Sequence, residues 1–417
     1  MAEPRRVLLL APFPPRLDAT HGGGRSIARL VLALARRNDV ALGFLRTDDE
    51  PAPGPDVIAA CSLVHEQRRP GVSHSSVRPL PRALAALPGM AAGKPLWVAA
   101  RWNAAFHSWV RHTIAVWRPH VLQAEFSAMG QYLDAAAEHG PRRVLTFHEL
   151  GALAALDRQR NAQIAARPVW ALSAWLWERY ERRLAESVDA TVVFTDVDRR
   201  AVLALSPTAD ATTIPLGVHV PPVPADPLGH TPPALLFVGN FVHAPNCDAA
   251  HWLMEEILPR LQVEFPQLRL LLVGDGAPES MRRAARPELT ITGRVPDVWP
   301  YLERAALFVA PLRTGGGMRV KVLEAMAAGK AVVATPRAVE GLRVVHGEHA
   351  LIAADASGLI AAAAAVIRDP GLRTRLARAG RAHVERTFGW ESCAAAYEDL
   401  YERLCDRAFG AATAGAP

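Results

Sequence analysis

A rhythm in the sequence limits what this chain can fold into. Short, unbroken apolar runs alternate with segments of helical period, and the alternation is played twice. RRVLLLAPF, VALGFLRT, HVLQAE, RRVLTFHE and DATVVFTD lie in the first half; ALLFVGN, LRLLLVGDG, LTITGRV, AALFVAPL and AVVATP lie in the second. A strand buried on both faces reads as a continuous apolar run, because neither face may be polar. The helical segments between the runs supply the crossovers that parallel strands need. The expected fold class is therefore α/β, with two doubly wound Rossmann-like domains.

Between the two series lies GVHVPPVPADPLGHTPP, rich in proline and without a core pattern. It reads as a linker. The expected organisation is a first domain over residues 1–217, a linker over 218–232, a second domain over 233–388, a terminal helix over 389–410 and a disordered tail over 411–417. The length of 417 residues is too great for one ordinary core and agrees with a division in two. The N-terminal MAEPRRVLLLAPFPP reads as a buried first strand rather than a signal peptide, since its apolar run is short and stops at prolines.

Composition narrows the function classes. Half of the residues are hydrophobic and 21% charged, a globular balance. The net charge of +6 is carried almost wholly by arginine, with lysine only at Lys94, Lys321 and Lys330. The charge is spread along the chain, without zinc-finger spacing or an aromatic RNA-binding signature, so it suits anionic small ligands or an anionic membrane surface better than nucleic acid. Cys61, Cys247, Cys393 and Cys405 form no CxxC pair and read as reduced cytosolic thiols. No apolar stretch approaches the ~20 residues of a spanning helix.

Two doubly wound domains leave a cleft between the carboxyl ends of their strands, and ligands of such sheets bind at those ends. The residues just after predicted strands are therefore the candidates. RTGGGMRVKVLEAMAAGK, residues 313 to 330, follows the strand LFVAPL. Gly315, Gly316 and Gly317 let backbone amides approach a ligand, Met318 and Val320 frame the turn, and the helix that follows offers free amides and positive potential. Arg319 and Lys321 add two cations, which suits a diphosphate. Glu324, one turn further on, would repel phosphate and suits a pair of sugar hydroxyls; a surface Lys–Glu pair is the plainer alternative.

Other strand ends carry weaker signals. Gly22, Gly23 and Gly24 form a glycine loop that is either a plain turn or a ligand loop. His148 ends the strand VLTFHEL and is either structural or an acid, base or hydrogen-bonding group. After ALLFV come Gly239, Asn240 and His243, with Asn246 or Asp248 as the expected cap of the next helix. Gly274, then Gly293, Arg294 and Val295, mark two further glycine turns that are structural or nucleotide-lining. GxSxG, HExxH, a correctly spaced P-loop and GxGxxG are all absent from the sequence, and no carboxylate cluster suggests a metal. Residues 94–117, with Trp102, Phe106, Trp109, Val110, Thr113 and Trp117 on one helical face, are either a helix packed on the first domain or an acceptor-binding or membrane-surface helix.

Taken together, LLFVGNFVHAPNCDAAHWLMEEILPRL, LLLVGDGAP, ITGRVPDVWPYL and GGGMRVKVLEAMAAGKAVVATPRAVEGL resemble, in order and spacing, the donor-binding domain of the GT-B glycosyltransferases of family 4, the "group 1" glycosyl transferases. APFPP…GGGRS, LQAEFSAMGQYL and VLTFHEL are similar to the first domain of that family. The resemblance implies transfer of a sugar from a nucleotide-diphosphate sugar, such as a UDP- or GDP-sugar, to an acceptor hydroxyl. It implies retention of configuration, no metal and no cofactor. It also implies that Glu324 holds the ribose, that His148 lies near the donor sugar, that Gly22 to Gly24 approach the diphosphate, and that the helix from Trp390 crosses back to the first domain. Two departures stand out. Gly316 occupies the position of the first glutamate of the family's paired motif, and GNFVHAPN lacks the usual Arg and Lys, for which Arg319 and Lys321 substitute. A nucleotide-sugar epimerase of the same fold and a catalytically silent sugar- or nucleotide-binding subunit are the alternatives. The acceptor is a sugar, a lipid-linked or a natural-product hydroxyl, with no nucleic-acid partner and a cytoplasmic or peripheral inner-membrane location.

Overall fold

The computed structural model describes residues 4–19, 22–69, 92–136, 140–161, 163–315 and 318–414. The chain divides into two compact units, Met1–Gly217 together with Cys393–Pro417, and Val218–Ser392. Gly316 and Gly317 lie outside the described residues.

Among the described residues the first unit holds seven strands: β1 (Arg6–Ala11), β2 (Asp39–Thr47), β3 (Leu63–Arg69), β4 (Val121–Glu125), β5 (Arg142–Phe147), β6 (Ala190–Val193) and β7 (Ala211–Thr213). They pair in the order β3-β2-β1-β4-β5-β6-β7, all in parallel. Val7 to Leu10 are wholly buried, as the unbroken apolar run requires. β3 was not visible in the sequence pattern. LVHEQRR is polar because it is an edge strand, half-buried along most of its length.

The second unit repeats the design with β8 (Ala234–Val238), β9 (Arg269–Val273), β10 (Leu289–Ile291), β11 (Leu307–Ala310), β12 (Val332–Ala334) and β13 (Leu351–Ile352), in the order β10-β9-β8-β11-β12-β13. In each sheet the order reverses beside the first strand, between β1 and β4 and between β8 and β11. Crossovers leave such a switch point in opposite directions and open a crevice at the carboxyl ends of its two strands.

Several local expectations need correction. Gly22 to Gly24 are not a loop but the first turn of the helix Gly22–Leu34. The last helix runs Trp390–Ala414, so residues 411–414 continue it where a disordered tail was expected; AATA is good helix-forming sequence. The proline-rich segment is strapped to the second unit. Arg381 donates to Pro221 O at 2.7 Å, Arg373 to Leu228 O at 2.7 Å, and the wholly buried Lys330 to Asp226 O and to Ala305 O. A run of prolines brings carbonyls without matching N–H donors, and buried cations supply the missing donors. Burial pushes the Lys330 ammonium down to about 8.

The tryptophan-rich stretch folds as Leu96–Ala99 and Ala104–Trp117. Phe106, Val110 and Thr113 are buried, and Trp109 stacks on His65 at 4.3 Å. Gly43 in β2 leaves the space that Trp109 fills. This is the packed helix of the two readings.

Candidate functional site

The second unit gathers its candidates around the β8/β11 switch point. After β8 the chain turns at Gly239, whose N–H donates to Val273 O at 3.0 Å, and Phe241 N–H donates to Asp275 O at 2.8 Å. Gly274 has φ +141°, and any Cβ there would collide with the carbonyl of Gly239. Glycine is thus demanded by both the backbone angle and the close approach of two strand-end loops. Asn240 is exposed, and its Oδ1 accepts from Val242 N at 3.0 Å. His243 is exposed and precedes the helix Ala244–Trp252. Gly293, at φ +71°, bridges Gly274, with exposed Arg294 and half-buried Val295 following.

Asn246 and Asp248 do not cap that helix, contrary to expectation. Asn246 donates from Nδ2 to Asn240 O at 2.7 Å and accepts the Lys321 ammonium on Oδ1. Asp248 pairs with Arg313, whose Nε lies 2.9 Å from Oδ2. Lys321 therefore reaches from the helix after β11 to the helix after β8, across the switch point. It also sits over the Phe237 ring, 4.8 Å from the centroid. Burial, reinforced by Arg319, lowers its pKa to about 8, while Glu324 partly offsets the fall. Glu324 is exposed on the helix Val320–Ala327.

Arg319 is placed differently from the expectation of an open anion contact. It is only 6% exposed, with Nε donating to Arg337 O at 3.0 Å and a terminal nitrogen to Gly315 O at 2.9 Å. Glu340 stands 3.8 Å from it. The guanidinium ties Gly315 to the turn Pro336–Val339. Gly315, at φ +102°, packs against Pro245. Met318 and Val320 are half-buried against the core of the unit.

The first unit builds a second constellation at its own strand ends. His148, just beyond β5, places Nε2 2.6 Å from Glu125 Oε2. Glu125 ends β4 and is 1% exposed. Its other oxygen accepts from Gln123 Nε2 at 2.5 Å, and Gln123 Oε1 accepts from Tyr401 Oη of the terminal helix. With Nε2–H donated to a carboxylate, the neutral imidazole carries its lone pair on Nδ1. Phe126 stacks on the His148 ring at 3.8 Å and 10° between planes. It does so from φ +68°, a left-handed conformation that costs a non-glycine residue about 1–2 kcal/mol. Gly23 lies against the edges of Phe126 and Phe13, where a Cβ would come within 2.8 Å of either ring. Glu125, Phe126 and Gln123 were not foreseen as a site. The available signal was two polar residues in HVLQAE, a strand with no exposed face to hold them.

Two parallel doubly wound sheets, with glycine turns after the strands of the second, make up a GT-B architecture. Residues 232–369 match the family model described as "Glycosyl transferases group 1". The phosphatidyl-myo-inositol mannosyltransferase of Mycobacterium tuberculosis is 29% identical over 295 residues, 64% of this chain and 75% of that protein. Among solved structures, sucrose-phosphate synthase from Thermosynechococcus elongatus superimposes with a TM-score of 0.66 at 20% identity, covering 96% of this chain and 99% of that one. Anabaena HepE in complex with UDP and glucose gives 0.58 at 13% identity, covering 96% and 100%. The fold is the GT-B fold of those structures, and the second unit carries a segment that matches the group 1 glycosyl transferases.

Proposed function

We propose that the protein transfers a hexosyl group from a nucleotide-diphosphate sugar to an acceptor hydroxyl with retention of configuration. The observation that carries this reading is Lys321, held by Asn246 across the β8/β11 switch point. One half-buried cation, the first-turn amides of the helix Val320–Ala327 and the glycine turns around it converge where a diphosphate can lie. Glu324, exposed one turn along, accepts hydrogen bonds from the ribose. Arg319 ties Gly315 to the neighbouring turn.

As the glycosidic bond to the diphosphate breaks, Lys321 and the helix amides stabilise the charge on the leaving group. The sugar becomes oxocarbenium-like. The acceptor hydroxyl attacks from the face the nucleotide leaves, and the departing phosphate takes its proton. His148, oriented by Glu125, binds a hydroxyl of the reacting sugar. The printed name of the mycobacterial relative makes a mannosyl donor and a lipid-borne polyol acceptor the first pair to try. Product analysis with GDP-mannose or UDP-glucose and phosphatidylinositol tests the reading. A glycosylated lipid supports it. Isomerised donor with no transfer, or no consumption of any nucleotide sugar, contradicts it.

A further inference from the structure

The first unit exposes an apolar face that its own fold does not use. The helix Gly151–Asn161 and the helix Arg167–Ser187 pack as a hairpin. On it Leu153, Leu156, Ile164, Val169, Leu172 and Trp175 are exposed, at 37% to 81%. Single exposed apolar residues need no explanation, but six within 23 residues do.

The hairpin is rigidly rooted. Glu181, wholly buried, accepts from Gly151 N at 2.7 Å, Ala152 N at 3.1 Å and Ser127 Oγ at 3.3 Å. Gly151 leaves room for the Trp177 ring. The exposed face is therefore presented on a fixed element, not on a frayed end.

Charge selects the occupant. From Arg158 to Trp177 the sequence has three arginines, Arg158, Arg160 and Arg167, and no aspartate or glutamate. Asp157 lies just before this span and stands 3.7 Å from Arg160. Glu178 lies just after it and pairs with Arg182 at 2.8 Å. Arg158 lies over the Trp170 ring at 5.4 Å and Arg179 over the Trp175 ring at 5.6 Å. Aliphatic side chains, tryptophans and arginines with long apolar stems are what a helix lying in a headgroup region presents, with the guanidinium reaching lipid phosphate.

We propose that this hairpin is a docking surface for an anionic phospholipid bilayer. Among the described residues no helix is long and apolar enough to cross a membrane, so the contact is peripheral. The hairpin begins three residues after His148. The acceptor is then carried in the lipid; that last step rests on the function proposed above.

The test is flotation of the full chain with vesicles of phosphatidylglycerol and phosphatidylcholine, against phosphatidylcholine alone. Binding to the anionic vesicles, weakened by salt, is expected. Leu172→Ser/Trp175→Ser should lower the partition coefficient at least tenfold with an unchanged melting curve. Val263→Ser, at an exposed apolar position of the second unit, should leave it unchanged. Arg158→Glu/Arg167→Glu should remove most of the preference for anionic lipid. Nucleotide titration of the serine variant should match the wild type, so a failure here is separable from a failure of the donor site. No binding to anionic vesicles by the wild type overturns the proposal. So does full binding by the serine variant, or sedimentation velocity showing that the substitutions dissociate a dimer while vesicle binding is unchanged.

Discussion

Two side chains carry the chemistry proposed here, and each depends on one neighbour. Lys321 is a half-buried cation with its pKa lowered to about 8, so its charge is lost as the pH rises through that value. A bound diphosphate favours the charged form. Affinity for a nucleoside diphosphate should therefore be constant from pH 6.5 to 7.5 and fall above pH 8, by up to about tenfold per pH unit. Calorimetric titration across pH checks this, and Lys321→Ala should abolish both the affinity and the slope. Glu125→Gln replaces the carboxylate that fixes the His148 tautomer. It should lower kcat about 10–100-fold, as loss of an orienting partner does elsewhere, and shift the pH–rate profile while nucleotide affinity stays within about twofold. Lys321 and His148 were legible in the sequence because each follows an apolar run. Their partners were not. Asn246 looked like a helix cap and Glu125 like the polar end of a strand, since sequence spacing does not show which loops a switch point brings together.

At the scale of elements, the strands were readable wherever both faces are buried, and three of the four edge strands were missed, β10 being the one that was read. β3, with its polar LVHEQRR, and the two-residue β13 lack the apolar run that marks β1 or β9. The turn glycines were readable as glycines but not as individuals. Gly274 is the most constrained, and Gly274→Ala should destabilise the second unit by about 2–4 kcal/mol, seen as a lower urea midpoint, because a Cβ strains the backbone and strikes Gly239. The terminal helix belongs to the first unit through Tyr397 and Tyr401, both wholly buried. Tyr401→Phe deletes the donor to Gln123 and leaves a buried carbonyl oxygen unpaired. A loss of about 1–3 kcal/mol in denaturant unfolding is expected, together with a fall in turnover, since Gln123 supports Glu125.

At the scale of the whole molecule, the doubled rhythm of the sequence foretold two doubly wound units, and the proline-rich segment foretold where one ends. It did not foretell that this segment is held down by Lys330, Arg373 and Arg381. Three cations scattered over 52 residues carry no local signature of a shared task. Nor did it foretell the apolar hairpin, because LAAL and WALSAWLW read equally well as core. The central claim is that the second unit holds a nucleoside diphosphate on Lys321 and its ribose on Glu324. The most direct measurement is calorimetric titration of the full chain with GDP and UDP, repeated on Lys321→Ala and Glu324→Ala at pH 7.5. Clear binding of at least one nucleotide is expected, with a loss of tenfold or more in each variant and unchanged melting curves without ligand. Equal affinity in the wild type and both variants, or no binding of either nucleotide, would contradict it.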